Sequence, residues 1–373
     1  MTGIQIARSN SFQTRIEKAN KSMIIKRACF LVVALLATTW AYAASDIVLK
    51  KSHPSEYTIK QGDTLWDIAS RFLRDPWRWP DIWHVNPQIK NPHLIYPGDQ
   101  VVLTFKDGKP QLILKRANNT QDNLRTVKLS PTVRTSPLRK AIPTIPVNAI
   151  QQFLSRPHVM TEDELENAPY ILSIQDDHLI SGAGDTIYVR GIVPGSNTRF
   201  SIVRSGAEYI DKADDDEVLG VEAIYVGEAV VENFGDPTTL TIAQSDRETL
   251  RGDRLVPAVS RKLEYNFTPH APSTDVQGNI ISVLDGVSRI GQHQIVVINR
   301  GLEHGMEKGH VMTVLQSGAE IDDDIPSGKG GDVVLPAEQA GYILLFRIFN
   351  KVSYALVMKA TREIRLLDIV KNP

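Results

Sequence analysis

From Tyr170 to its end the chain is written in short β-branched runs, among them "TIYVRGIV", "RFSIV", "AIYVGEAVV", "IVVIN", "HVMTVLQ" and "SYALVMKA". Gly, Asp and Asn turns separate them, the pattern of an all-β sandwich or barrel. The text also repeats. "RSGAEYID" at 204–211 returns as "QSGAEIDD" at 316–323, and "RETLRGDRLVP" at 247–257 returns as "REIRLLDIVKNP" at 362–373. Each Arg-Glu pair stands the same step before an Asp (Asp253, Asp368). Two tandem copies of one β module are expected, at 170–258 and 275–373.

A different text precedes them. Of the chain's 42 basic and 43 acidic residues, six and one fall in the first 43, leaving 36 against 42, a formal −6. A mildly acidic body is poorly matched to a nucleic-acid backbone, so no nucleic acid is expected as a partner. Lys26 and Arg27 lead an apolar run from Ala28, and Ala41-Tyr42-Ala43 places small residues where a signal peptidase reads. Residues 1–43 are expected to be a cleaved secretory signal, with Met23 as a start that would give it conventional proportions. Retention through residues 28–44 as an inner-membrane anchor is the alternative, against which the run is short. The single cysteine, Cys29, lies in this segment. The exported protein then has no disulfide, no thiolate nucleophile and no Cys-bound metal.

Residues 56–104 read as a compact unit holding four of the five tryptophans. Tyr57 and Ile59 alternate with polar residues as a short strand. Gly62-Asp63 makes a turn, and Thr64 is placed to cap a helix with Asp67 as its return partner. Leu65, Ile68, Ala69 and Phe72 then recur at helical spacing as one buried face, with Trp66 about 100° away from it. A second helix opens near Pro80, carrying Trp79, Ile82 and Trp83 on one side. Tyr96-Pro97-Gly98-Asp99 is a turn, and 100–103 reads as the closing strand. Residues 105–169 read as a Pro- and Thr-rich linker with short helices, one capped by Thr161 and Glu164.

This β-α-α-β order resembles the LysM domain. The likeness rests on Tyr57-Thr-Ile-Lys-Gln-Gly62-Asp63-Thr64-Leu65-Trp66-Asp-Ile-Ala69, on Asn86-Pro87 and on Leu94-Ile95-Tyr96-Pro97-Gly98-Asp99. One departure is "RFLRDPWRWPDIW", longer and richer in Trp than the usual segment between the helices. The resemblance implies a groove for N-acetylglucosamine-containing glycan between Gly62, Asp63, Thr64 and Leu65 on one side and Ile95, Tyr96, Pro97 and Gly98 on the other. An N-acetyl group needs one amide donor, one acceptor and an apolar wall, and turns containing Gly let backbone come close. Trp79 and Trp83 read as core, as a unit this small without disulfides requires. Trp66 and Trp77 are the rings left for a pyranose to stack on. Asp63 and Asp67 read as turn and cap residues, not as a catalytic pair.

Local enzyme signatures are missing. The nine histidines are scattered, with His304 and His310 in a Gly-rich turn run, and no His-Glu-x-x-His, Ser-x-x-Lys or Gly-x-Ser-x-Gly occurs. The acidic runs at 211–217 and 322–324 read as solvated loops, and "SGKGGD" at 327–332 lacks the Ser/Thr of a phosphate loop. No cofactor and no metal are expected. The sequence therefore predicts an α+β multidomain chain: a small β-α-α-β module, a linker and two tandem all-β barrel- or sandwich-like repeats. The function expected is non-catalytic binding of peptidoglycan in the periplasm, with an envelope protein as a partner of the β-rich body. Two alternatives stay open: a wall hydrolase using carboxylates that leave no local motif, and an envelope scaffold whose LysM is vestigial.

Overall fold

The computed structural model describes residues 47–83, 95–116, 141–155, 159–195, 197–212, 214–258, 267–284, 289–322 and 331–373. The predicted signal segment, Asn86, Pro87, Leu94, much of the linker and most of "SGKGGD" lie outside the described residues. Among the described residues no helix is long and apolar enough to cross a membrane.

The amino-terminal module begins with β1 (Glu56–Thr58), α1 (Leu65–Phe72), a 3-10 turn at Pro76–Arg78 and α2 (Trp79–Trp83). The cap of α1 forms as its residues predict: Asp67 N donates to Thr64 Oγ1 at 3.1 Å and Thr64 N to Asp67 Oδ2 at 3.2 Å. Leu65, Ile68, Ala69 and Phe72 are buried, and so are Trp79, Ile82 and Trp83 of α2. The closing strand β2 (Gln100–Lys106) pairs antiparallel with β1, Tyr57 opposite Val101. It does not end the module. Asp107 (φ 50°) and Gly108 (φ 76°) turn the chain into β3 (Lys109–Lys115), and the sheet order is β1-β2-β3. The segment read as the start of the linker is thus a hairpin strand, fixed by an Asp-Gly pair whose positive φ values suit a tight two-residue turn.

Beyond residue 140 come α3 (Val147–Ser155), β4 (Val159–Met160) and α4 (Glu162–Glu166), the last capped by Thr161 and Glu164. The β-rich body opens with β5 (Tyr170–Ile174), β6 (Ile180–Ser181), β7 (Thr186–Arg190), β8 (Arg199–Asp211), β9 (Glu217–Asn233), β10 (Thr238–Ser245), β11 (Thr249–Leu250) and β12 (Arg254–Pro257). The main sheet runs β10-β7-β5-β12-β8-β9-β4, and β10 also pairs with β9, so the sheet curls back on itself. Beside it β6 pairs with β11.

The C-terminal part holds β13 (Gln277–Leu284), β14 (Arg289–Ile290), β15 (Ile295–Ile298), β16 (Val311–Gln316), β17 (Glu320–Asp322) and β18 (Asp332–Val334). It ends with β19 (Glu338–Ile348), β20 (Ser353–Ala360), β21 (Ile364–Arg365) and β22 (Ile369–Lys371). A closed barrel runs β13-β15-β20-β19-β16-β22, with β14–β21 and β17–β18 as separate pairs. The Gly-punctuated run at 299–314 makes the tight corner between β15 and β16. There Gly309 (φ 94°) admits no side chain, because a Cβ would meet Thr268 O at 2.5 Å.

Alternation along β20 explains why it reads as a continuous apolar run. Ala355 and Val357 face the barrel interior with Ile280, Val296 and Ile343, while Tyr354, Leu356 and Met358 face a second core. That second core also takes Trp66 from α1, Ile145, Ile150 and Phe153 from the segment around α3, and Tyr209 from β8. The LysM-like module is therefore packed onto the body and does not swing on a tether. The acidic run after β8 is only partly solvated: Asp211 is buried and accepts from Asn299 Nδ2 at 2.6 Å.

Candidate functional site

The groove that the resemblance implies is built by two turns brought together by main-chain bonds. Ile59 N donates to Asp99 O and Gly98 N to Ile59 O, both at 2.9 Å, so the turn before β2 lies beside the chain leaving β1. Gly62 (φ 94°) and Gly98 (φ 97°) hold left-handed backbone that other residues rarely adopt, and each turn is pinned by an aspartate. Asp63 Oδ2 accepts from Lys60 N at 2.7 Å and from the Tyr57 hydroxyl at 2.9 Å. Burial first, and that bond second, raise the Tyr57 phenol above its ordinary range. Asp99 Oδ2 accepts from Tyr96 N at 3.2 Å. Asp63 and Asp67 are turn and cap ligands here.

Next to these turns is an open cleft of about 780 Å³. Gln61, Gly62, Asp63, Thr64, Asp67 and Pro97 form its module side, and residues 141–143 and 146–148 with His293 form the other. Of the predicted binding residues, Gly62 and Gly98 are exposed, Asp63, Tyr96 and Pro97 are half-buried, and Thr64, Leu65 and Ile95 are buried. The two rings left for stacking are not free. Trp66 is 2% exposed, sealed into the core by Ile145, Ile150 and Phe153, so it offers no face to a sugar. Trp77 is half-buried against the same core, with the Arg78 guanidinium 6.0 Å from its ring.

What the sequence gives no sign of is the partner of the groove's backbone. Leu65 N and Trp66 N, first-turn amides of α1 without intrahelical acceptors, donate to Pro143 O (3.0 Å) and Thr144 O (3.2 Å). Ile142 N donates to Ile95 O at 2.8 Å. Residues 142–144 thus run along the groove and take its backbone bonds.

A second cluster, far away in sequence, joins His270 and His310 through an isolated parallel bridge, with ring centroids 4.7 Å apart. Ligand-type atoms of His270, Glu307 and His310 come within 4.8 Å of one another. His310 Nδ1 already accepts from Glu307 N at 3.1 Å, so in the neutral ring the proton sits on Nε2 and the lone pair a metal needs is not offered. Burial, then the charge of His270, lowers the His310 pKa. His304 is fixed alike, its Nδ1 accepting from Gly301 N.

Two glycine turns thus lie side by side at one end of a small β-α-α-β unit, next to an open cleft. Residues 57–104 match the LysM domain family. The uncharacterized protein YqbP of Bacillus subtilis (strain 168) is 43% identical over 61 residues in this region. That alignment covers 14% of this chain and 28% of the relative, so the chain spans well under two thirds of the relative's length. The amino-terminal unit is a LysM domain, a glycan-binding module of the peptidoglycan and chitin type.

Proposed function

We propose that this chain is a non-catalytic peptidoglycan-binding protein of a Gram-negative-type envelope, exported through a cleaved signal and periplasmic. The LysM groove holds N-acetylglucosamine-containing glycan, and the β-rich body is the region that meets an envelope protein. The observation carrying this reading is the LysM match together with the two glycine turns set side by side at 62–65 and 95–98. One such module binds weakly, and the polymeric wall supplies retention by rebinding along many sites.

The two-copy reading of the body is supported by strand order. Setting β5, β7, β8, β9, β10 and β12 against β13, β15, β16, β19, β20 and β22 carries the neighbour order of one sheet onto the other, and β6–β11 onto β14–β21. The repeated Asp plays one part twice: Asp253 Oδ2 accepts from Leu250 N and Asp368 Oδ2 from Arg365 N, both at 2.8 Å.

The test is co-sedimentation of residues 44–373 with purified sacculi, beside Gln61→Trp, which fills the cleft from an exposed turn position. A bulky side chain at Gly62 is avoided because its φ of 94° would strain the turn. Pelleting of the unaltered protein and not of the variant is expected; a soluble unaltered protein refutes the tether. One observation favours a second reading, an envelope scaffold whose LysM no longer meets sugar: Pro143 O and Thr144 O already occupy the groove donors.

A further inference from the structure

We propose that the LysM groove is self-ligated: residues 141–143 occupy it as a peptide stand-in for the acetamido group, and glycan enters by lifting this strap. The proposal rests on the glycan-binding reading of the groove.

The chemistry of the stand-in is close. An acetamido group offers one C=O and one N–H on adjacent atoms, the same pair that a peptide unit carries. Residues 142 and 143 meet the groove with the same two functions, taken from the peptide units on either side of the Ile142–Pro143 bond: Ile142 N–H goes to Ile95 O, and Pro143 C=O accepts from Leu65 N–H. Ile142 is buried and supplies the apolar contact, whereas Pro143 is exposed, so the strap is covered from one side only. Leu65 and Trp66 gain acceptors that the start of a helix otherwise takes from water or ligand.

The strap is held firmly at Thr144. Thr144 is fully buried, and its Oγ1 accepts from Phe267 N at 3.2 Å while its carbonyl accepts from Trp66 N. Ile145 behind it is fully buried in the core that also holds Trp66. Among the described residues, two main-chain bonds and the Ile142 side chain hold residues 141–143 against the groove. Pro143 has no N–H to give. Lifting residues 141–143 about Thr144 therefore exposes Leu65 N and Ile95 O together while Trp66 keeps its partner. Glycan binding then draws on the fraction of molecules with the strap lifted, and apparent affinity falls by that fraction.

The experiment compares the chain with an Ile142→Gly/Pro143→Gly variant, in which the apolar anchor and the fixed φ are both removed. An N-acetylglucosamine oligomer is titrated by calorimetry, and hydrogen exchange of the Ile142 amide is followed in the unaltered protein with and without it. Expected are a tightening of about tenfold or more in the variant and faster Ile142 exchange once oligomer is added. Equal affinity with Ile142 still protected overturns the strap and leaves glycan binding standing, with the sugar in the outer cleft. If neither protein binds the oligomer, the glycan reading itself falls and residues 141–144 are a fixed joint. Should the variant fail to fold, the exchange measurement alone decides, and an Ile142 amide unchanged by oligomer overturns the proposal.

Discussion

The Tyr342 hydroxyl donates to Asp75 Oδ1 at 2.8 Å, a bond from the C-terminal barrel to the turn between the two helices of the LysM domain. Burial first raises the Tyr342 phenol, to about 12, so it stays a donor across the usable pH range. With Trp66 in the shared core, this bond makes the module and the body one mechanical unit. The LysM domain is thereby fixed in orientation relative to the barrel.

Tyr342→Phe is expected to cost about 1 kcal/mol, the net worth of one such bond, because the ring remains to pack. The check is a denaturant melt: the midpoint falls with the slope unchanged, and a single transition persists. A variant in which the LysM domain melts separately at unchanged body stability would show that the bond carries the coupling itself.

Trp66→Ala separates stacking from packing. The ring is buried among Ile145, Ile150 and Phe153, so its loss is expected to cost about 3–5 kcal/mol. Where the variant still folds, binding to sacculi should fall only through loss of folded protein. A folded Trp66→Ala that loses all binding at unchanged stability would restore the ring as a sugar platform.

Arg204 and Asp253 make a bidentate pair at 2.8 and 2.9 Å, the carboxylate buried and the guanidinium one-third exposed. Arg204→Ala strands that carboxylate with Leu250 N among its remaining donors. A loss of about 3 kcal/mol is expected, and Arg204→Ala/Asp253→Asn should recover part of it. Double-mutant analysis of unfolding midpoints reads the coupling directly. A coupling near zero would mean that the pair is ornamental.

Much of this was legible because it is local. Thr64 and Asp67 are three residues apart and cap α1 by themselves, and the run of Leu65, Ile68, Ala69 and Phe72 names its own buried face. Asp107-Gly108 was equally local, a hairpin signal inside a stretch whose composition reads as linker. Trp66 lies off the main face, as its helical position says. That position carries no record of what covers it, since Ile145, Phe153 and Tyr354 arrive from distant segments. The occupants of the groove leave still less trace, because Pro143 O and Thr144 O are backbone atoms every residue possesses. His270 and His310 likewise meet through a bridge that no spacing rule encodes.

His310 gives the pH dependence its sign. Burial and the neighbouring His270 charge lower its folded pKa from 6.5, and protonation would turn Nδ1 against the Glu307 amide that donates to it. Glu307, exposed beside it, acts in the opposite sense with a smaller effect. A base whose pKa is lowered by folding leaves stability untouched above the unfolded value. Stability then falls as pH drops below about 6.5, by at most about 1.4 kcal/mol per pH unit, until the folded ring also titrates. His304 moves in the same direction and adds to the slope. Denaturant midpoints taken from about pH 7.5 down to about pH 5 should therefore decline. His310→Gln keeps an acceptor for the Glu307 amide and should flatten part of that decline, with the His304 share remaining. An unchanged slope in His310→Gln would place the acid sensitivity elsewhere in the chain.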